Sequence, residues 1–219
     1  MRRAALGVLA VVTCLLVALS LRAHREPPPG FASIRAAREY QDPALLTRAM
    51  ALPVAARFSP LLFQTNPSAC GPASVANVFR SAGEVSTQDE IAAHGEGCAF
   101  GVCFGGLTLD ELADAARAAH HGWDISVVRP ATLEAFRAEL ARANELDRRA
   151  VINFDRFPLF GAGGGHHSPI GGYLEAEDLV LVMDVNADYR PWLVSAPRLF
   201  EAMNTLDGST RRGLLVFTH

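Results

Sequence analysis

Two apolar runs flank an acidic tetrapeptide in the last third of the chain. His167 to Leu174 reads HSPIGGYL and Leu179 to Val185 reads LVLVMDV, with Glu175-Ala176-Glu177-Asp178 between them. Strand-like runs joined by a short polar turn fold back as a β-hairpin. A turn centred on those residues pairs Leu174 with Leu179. The same register sets Pro169 opposite Asp184 and His167 opposite Asn186. Side chains alternate between faces, so His167, Pro169, Asp184 and Asn186 share one face and His166 points to the other. A slip of one residue exchanges the two histidines.

The segments before the hairpin carry helical spacing. Cys70 to Ala82 reads CGPASVANVFRSA, with Val75, Val78 and Phe79 on one stripe. Pro72 suits a first helical turn and Gly83 the residue past the end, so a helix begins at or beside Cys70. A second helix is expected over Thr108–His121, capped by Thr108 with Glu111 three positions on, and a third over Thr132–Asn144. Residues 32–57 suggest one or two short helices. Strands are expected at Ala150–Phe154, Ser168–Leu174, Leu179–Val185 and Gly213–Phe217. Helices first and antiparallel strands afterwards make an α+β domain.

The 219 residues suffice for one domain with its own core. Half are apolar and a fifth charged, a globular composition. A net charge of −3 excludes a basic footprint for nucleic acid. Arg2 and Arg3 precede an uncharged apolar run, Ala4 to Leu21, which has the pattern of an export signal. Residues 1–23 are therefore expected to be a signal peptide or membrane anchor, 24–31 (with HREPPPG) a stiff linker, and 32–219 the folded domain. The domain would lie outside the cytoplasm, periplasmic or membrane-anchored, touching membrane only through that N-terminal segment. Of four cysteines, Cys14 falls inside the run. In an oxidising compartment Cys98 and Cys103 are the natural pair, which leaves Cys70 free.

A free cysteine at a helix start has the setting of a nucleophile. The thiolate is the reactive form, and unpaired N–H groups at a helix N-terminus favour it. Gln64, six residues earlier, can offer a side-chain N–H to a developing oxyanion. Of the seven histidines, the hairpin register supports His167 as the base, with Asp184 as its orienting carboxylate and Asn186 as a substitute orienter. Cys, His and Asp in that order fit papain-like acyl transfer, in which the thiolate attacks a carbonyl and an acyl-enzyme forms.

At these residues the chain resembles the phytochelatin synthase family. The likeness is carried by Gln64-Thr65-Asn66-Pro67-Ser68-Ala69-Cys70-Gly71-Pro72-Ala73-Ser74, by Gly165 to Tyr173, by Leu181 to Val185, and by Glu201-Ala202-Met203 with Arg211-Arg212-Gly213. The resemblance implies a papain-like cysteine protease fold and an acyl-enzyme carrying γ-glutamylcysteine from glutathione. Water would resolve it by hydrolysis, and a second glutathione by transpeptidation to phytochelatin. It also implies substrate contacts at Asn66, Pro67, Gly165, His166, Tyr189, Arg190 and Arg212. Heavy-metal ions such as cadmium or zinc enter as activators or as thiolate complexes of the substrate, with no firmly bound cofactor, and a homodimer is compatible with the chain. The chain departs from the family in having Asn66 for an acidic residue, Ala69 for an aromatic one, and Arg190 displaced from the usual position after the aspartate. Another papain-like peptidase, acting for instance on a leader peptide, is the alternative.

A non-catalytic metal protein is a further alternative, with His94, Cys98 and Cys103 as donors, but their spacing matches no standard zinc site and a disulfide is the simpler use of the two thiols. The Gly161–Gly165 run lacks the lysine and helix of a phosphate loop. It reads as a passage for substrate backbone beside His167 or as a loose loop. Trp123 and Trp192 read as core or rim.

Overall fold

The computed structural model describes residues 34–218. The proposed signal or anchor (1–23) and the linker (24–31) lie outside the described residues. Within them, helices at Pro43–Met50 and Pro53–Ala56 lead into Cys70–Ser81, followed by Gln88–Ala93, a small hairpin β1 (Cys98–Ala99) and β2 (Val102–Cys103), and the helix Leu109–Ala119. Then come β3 (Asp124–Val128), the helix Leu133–Arg142, β4 (Arg148–Asp155), the short helix Phe157–Phe160, β5 (Gly165–Leu174), β6 (Leu179–Val182), β7 (Trp192–Ser195), the helix Ala196–Met203, a hairpin β8 (Leu206–Asp207) and β9 (Thr210–Arg211), and β10 (Leu214–Thr218).

Six strands form one antiparallel sheet in the order β3-β10-β4-β5-β6-β7. Alternation along the strands divides the apolar side chains into two cores. Val151, Leu181, Met183, Leu215 and Phe217 pack with the helices Cys70–Ser81 and Leu109–Ala119. Ile152, Phe154, Ile170, Val180, Val182, Leu214 and Val216 pack on the other face with Leu133–Arg142 and Ala196–Met203. The α+β architecture is as expected. Strands β3 and β7 and the helix Ala196–Met203 were not expected. Each is short, four to eight residues.

The helix ends follow the local chemistry. Thr108 and Glu111 make the reciprocal capping box, and Thr132 caps the helix after it. By contrast the helix at Cys70 is preceded by Ala69, which provides no side-chain cap. Its first N–H groups are left to whatever lies in front of them.

The β5–β6 hairpin is regular at its turn and irregular at its open end. Leu174 pairs with Leu179, Tyr173 with Val180 and Gly172 with Leu181; then Ile170 pairs with Val182, and Gly171 is left bulged. A Cβ on Gly171 would stand 2.7 Å from Met183 Cγ and 2.8 Å from Leu181 Cδ2, so any larger residue would force these side chains to shift. The turn is anchored by Asp178 at φ 54°, whose carboxylate takes two N–H bonds from Arg137 at 3.0 and 2.5 Å and one from the Tyr173 hydroxyl at 2.5 Å.

Candidate active site

The bulge decides which histidine meets Asp184. Past it, even-numbered residues of β5 face the side that holds Val180 and Val182, and Asp184 continues that parity. His166 Nε2 accordingly lies 2.8 Å from Asp184 Oδ1, and the His166 ring meets Phe154 edge-on at 5.5 Å. His167 falls on the opposite face, towards the helix Cys70–Ser81. The expectation that Asp184 orients His167 is therefore corrected: Asp184 orients His166, because the extra residue Gly171 shifts the ladder by one.

Asp184 is fully buried and well supplied with donors. Its Oδ1 also accepts the Asn186 N–H at 2.9 Å, and Oδ2 accepts Trp192 Nε1–H at 2.9 Å. Burial pushes its pKa up, but the adjoining His166 charge and these hydrogen bonds outweigh that and hold the carboxyl below its ordinary value. Burial likewise pushes His166 down, and Asp184 with Cys70 brings it above the ordinary imidazole value. Trp192 is thus part of the site as well as of the core, a role no sequence spacing announces.

Cys70 occupies the first turn of its helix, where β6 has ended and the chain turns away at Val185. Cys70 and Ala73 pack against Val185, and Gln64 N–H donates to the Val185 carbonyl at 2.8 Å. His167 Nδ1 is 3.9 Å from the sulfur, and His166 also acts on the thiol. Burial pushes the thiol up, but the hydrogen bonds of His166 and then His167 leave it well below the ordinary thiol value. A Cβ on Gly71 would stand at a tight 3.1 Å from Leu112 Cδ1 and at ordinary contact distance, 3.6 Å, from His167 Nδ1.

The segment before the nucleophile is held by buried amides. Asn77 bonds both the N–H and the carbonyl of Leu62 at 2.8 Å, and Gln88 accepts from Thr65 N–H at 3.0 Å. Gln64 Nε2 donates to the Asn66 carbonyl at 3.0 Å, which leaves one amide hydrogen for an oxyanion. Asn66 caps Ser68 through Oδ1 and donates to the Gly101 carbonyl at 2.9 Å, so it braces the loop and does not line the cleft.

In front of Cys70 is a cleft of about 270 Å³, walled by Pro67 and Ser68, by Gly105–Leu107, and by Gly165, His167, Asp207 and Arg212. Arg212 donates to Asn153 Oδ1 at 2.6 Å and is 3.2 Å from Asp207 Oδ2. A Cβ on Gly165 would lie 2.5 Å from Arg212 Nη1, so this glycine lets the guanidinium cross the histidine strand. Gly165 and Arg212 are thus at the cleft as expected, and Pro67 with them. Arg190 is exposed at φ 57° on a turn closed by its N–H to the Asn186 carbonyl, and lies outside the cleft lining. Tyr189 beside it meets the Phe160 ring at a tilt of 59°, with centroids 4.8 Å apart. The arginine that reaches the histidine paired with Asp184 is Arg156, with Nη2 2.8 Å from His166 Nδ1 and 3.0 Å from Nε2, and its guanidinium over the Tyr189 ring. Its sequence neighbourhood carries no motif that marks it.

Cys98 and Cys103 are joined in a disulfide across the β1–β2 hairpin, whose two-residue turn Phe100-Gly101 has positive φ at both positions. The hairpin touches the nucleophile loop, because Cys103 N–H donates to Ser68 Oγ at 3.1 Å. The pair is therefore not a set of metal donors. Among the described residues no group of three or more His, Cys, Asp or Glu is arranged to hold a metal, and no helix is long and apolar enough to cross a membrane.

Among solved structures the chain is similar to the peptidase domain of Streptococcus ComA, a bifunctional ABC transporter involved in quorum sensing. The identity is 16%, the match covers 72% of this chain and 96% of that one, and the TM-score is 0.51. It is also similar to a C39-like peptidase from Bacillus anthracis at 14% identity, over 73% and 94% of the two chains, with a TM-score of 0.54. These likenesses establish the papain-like cysteine protease fold. Curated relatives include glutathione gamma-glutamylcysteinyltransferase 3 of Lotus japonicus, 34% identical over 119 residues (52% of this chain, 24% of the relative). Glutathione gamma-glutamylcysteinyltransferase 1 of Triticum aestivum is 42% identical over 86 residues (38% and 17%). The matched stretches span a quarter or less of those relatives' length. Residues 36–214 match the phytochelatin synthase family model, most of the described chain, and the chain belongs to the phytochelatin synthase family.

Proposed function

We propose that the chain cleaves glutathione by cysteine-dependent acyl transfer, with Cys70 as nucleophile, His166 as base and Asp184 as orienting carboxylate. The observation that carries the reading is the buried Asp184–His166 pair beside a thiol held well below its ordinary pKa at the mouth of a cleft. Arg156 gives up its hold on His166 Nδ1, that nitrogen takes the Cys70 proton, and the thiolate attacks the carbonyl that joins cysteine to glycine. His166 returns the proton to the departing amine, glycine leaves, and a γ-glutamylcysteinyl thioester remains on Sγ. Gln64 Nε2 and the N–H groups at the helix start face the developing oxyanion. Arg212, with its Nε buried and unpartnered, supplies positive charge for a substrate carboxylate.

Water completes hydrolysis, and the amine of a second glutathione completes transpeptidation. Metal ions enter this scheme as thiolate complexes of the substrate. The domain acts outside the cytoplasm, a reading supported by the charged-then-apolar N-terminal pattern and by the Cys98–Cys103 disulfide.

The test incubates the purified full chain with glutathione, with and without cadmium, and follows free glycine against Cys70→Ser. Glycine release that vanishes in the variant supports the scheme, and longer thiol peptides add transfer to hydrolysis. A folded protein whose Cys70 is alkylated normally but releases no glycine refutes glutathione as substrate.

A further inference from the structure

His167 has no part in the scheme above, yet it is buried against the nucleophile. It is 3% exposed, it borders the cleft, and its Nδ1 is 3.9 Å from Cys70 Sγ. Its other nitrogen, Nε2, is buried and has no hydrogen-bond partner. We propose that His167 is a second catalytic residue, which donates its Nδ1–H to the Cys70 thiolate while His166 with Asp184 moves the proton. The proposal rests on Cys70 being the nucleophile assigned above.

The hydrogen-bond inventory sets the tautomer. A neutral imidazole carries one N–H and one lone pair. With the hydrogen on Nε2, a buried donor has no acceptor. With the hydrogen on Nδ1, the donor faces sulfur and only a lone pair is unmatched, the cheaper arrangement. His166 is placed differently, because the Asp184 carboxylate sits at its Nε2 and compensates the positive charge it gains as a base. Asp184 is spent on His166, Trp192 and Asn186, so it offers His167 nothing. The two adjacent histidines therefore divide the labour: one accepts a proton, the other donates a hydrogen bond to the resulting anion. Hydrogen bonds to an ionised acceptor are about twice as strong as neutral ones, so the donor acts mainly on the thiolate.

The test reads the Cys70 titration. Charged and titratable groups near the sulfur are His166 and His167 from β5, Asp184 and Arg156 behind His166, and Arg212 with Asp207 across the cleft. All are left in place while His167 is changed to Phe, which removes the donor, or to Asn, which keeps one near the Nδ1 position. In a full-length Cys14→Ser background, Cys70 is the one free thiol, and its rate of alkylation by iodoacetamide is followed against pH. His167→Phe is expected to raise the midpoint by about one unit, tenfold less thiolate below it, with His167→Asn within about 0.3 unit of the parent. His167→Leu replaces the Phe variant if that one does not fold.

An unmoved midpoint in the donor-less variant overturns the proposal, as does an equal shift in His167→Asn. His166→Gln is titrated alongside, and a midpoint that depends on His167 but not on His166 reverses the two roles and overturns it as well. Alkylation needs no glutathione, so these outcomes are separate from failure of the proposed substrate.

Discussion

Asp184→Asn is the sharpest probe of the site. The carboxylate receives three N–H donors: His166 Nε2, Trp192 Nε1 and the Asn186 backbone. An amide has one oxygen to offer them. If that oxygen faces His166 and Asn186, the new NH2 confronts Trp192 Nε1–H. If it faces Trp192, the NH2 confronts the Asn186 N–H and forces the His166 proton off Nε2. Either way one buried donor is stranded, at a cost of about 1–3 kcal/mol in stability. At 2 kcal/mol the melting temperature falls by roughly 4–8 °C for a chain of this size. The charge-assisted bond to His166 is also lost as that ring becomes cationic. A loss of about 2–3 kcal/mol in the transition state is about 30- to 160-fold in kcat/KM. Glycine release from glutathione gives the rate and a thermal melt gives the stability. Asp184→Asn that folds normally and keeps kcat/KM within about threefold of the parent would falsify the Asp184–His166 assignment.

Gly171→Ala presses a methyl group against Met183 and Leu181, both buried, and should cost about 1–3 kcal/mol by melting. Turnover should fall further than stability explains, because the same residue sets the face on which His166 emerges; full activity in a destabilised variant contradicts this. Cys98→Ser with Cys103→Ser opens a short loop of sequence separation 5 and should lower stability by about 2 kcal/mol. Dithiothreitol added to the parent should reproduce the shift, and no change in either melt removes the hairpin as a brace for the nucleophile loop. The folded pKa of Asp184 is depressed, so the stability it contributes is complete above the unfolded carboxylate value and is lost as pH falls through the folded one. Parent protein should therefore lose stability in acid more steeply than Asp184→Asn, and parallel acid-unfolding curves would refute that sign.

Much of the site could be read from residue types and spacing. Pro72 and Gly83 bracket the helix that begins at Cys70, Thr108 and Glu111 mark another, and the acidic tetrapeptide marks the hairpin turn. Counting outward from that turn is correct as far as Gly172. It then selects the wrong histidine, because a bulge at Gly171 leaves no signature beyond a Gly-Gly pair common to many turns. Arg156 and Trp192 escaped for a related reason. Their contacts with His166 and Asp184 are made between segments, and no local pattern encodes them. Arg190 was placed near the substrate by sequence likeness, while the turn at Asn186–Arg190 carries it outward.

The paired histidines also bear on errors in assembly. A chain that zips from its clamped turn without forming the bulge brings His167, not His166, to the Asp184 side, so an imidazole meets the carboxylate in either register. The polar site thus discriminates poorly between right and wrong ladders. Discrimination falls to the apolar neighbours: the wrong ladder takes Ile170 from its partner Val182 and turns both it and Ser168 towards the opposite core. Proofreading of the catalytic geometry therefore falls to buried apolar residues such as Ile170, which carries no charge.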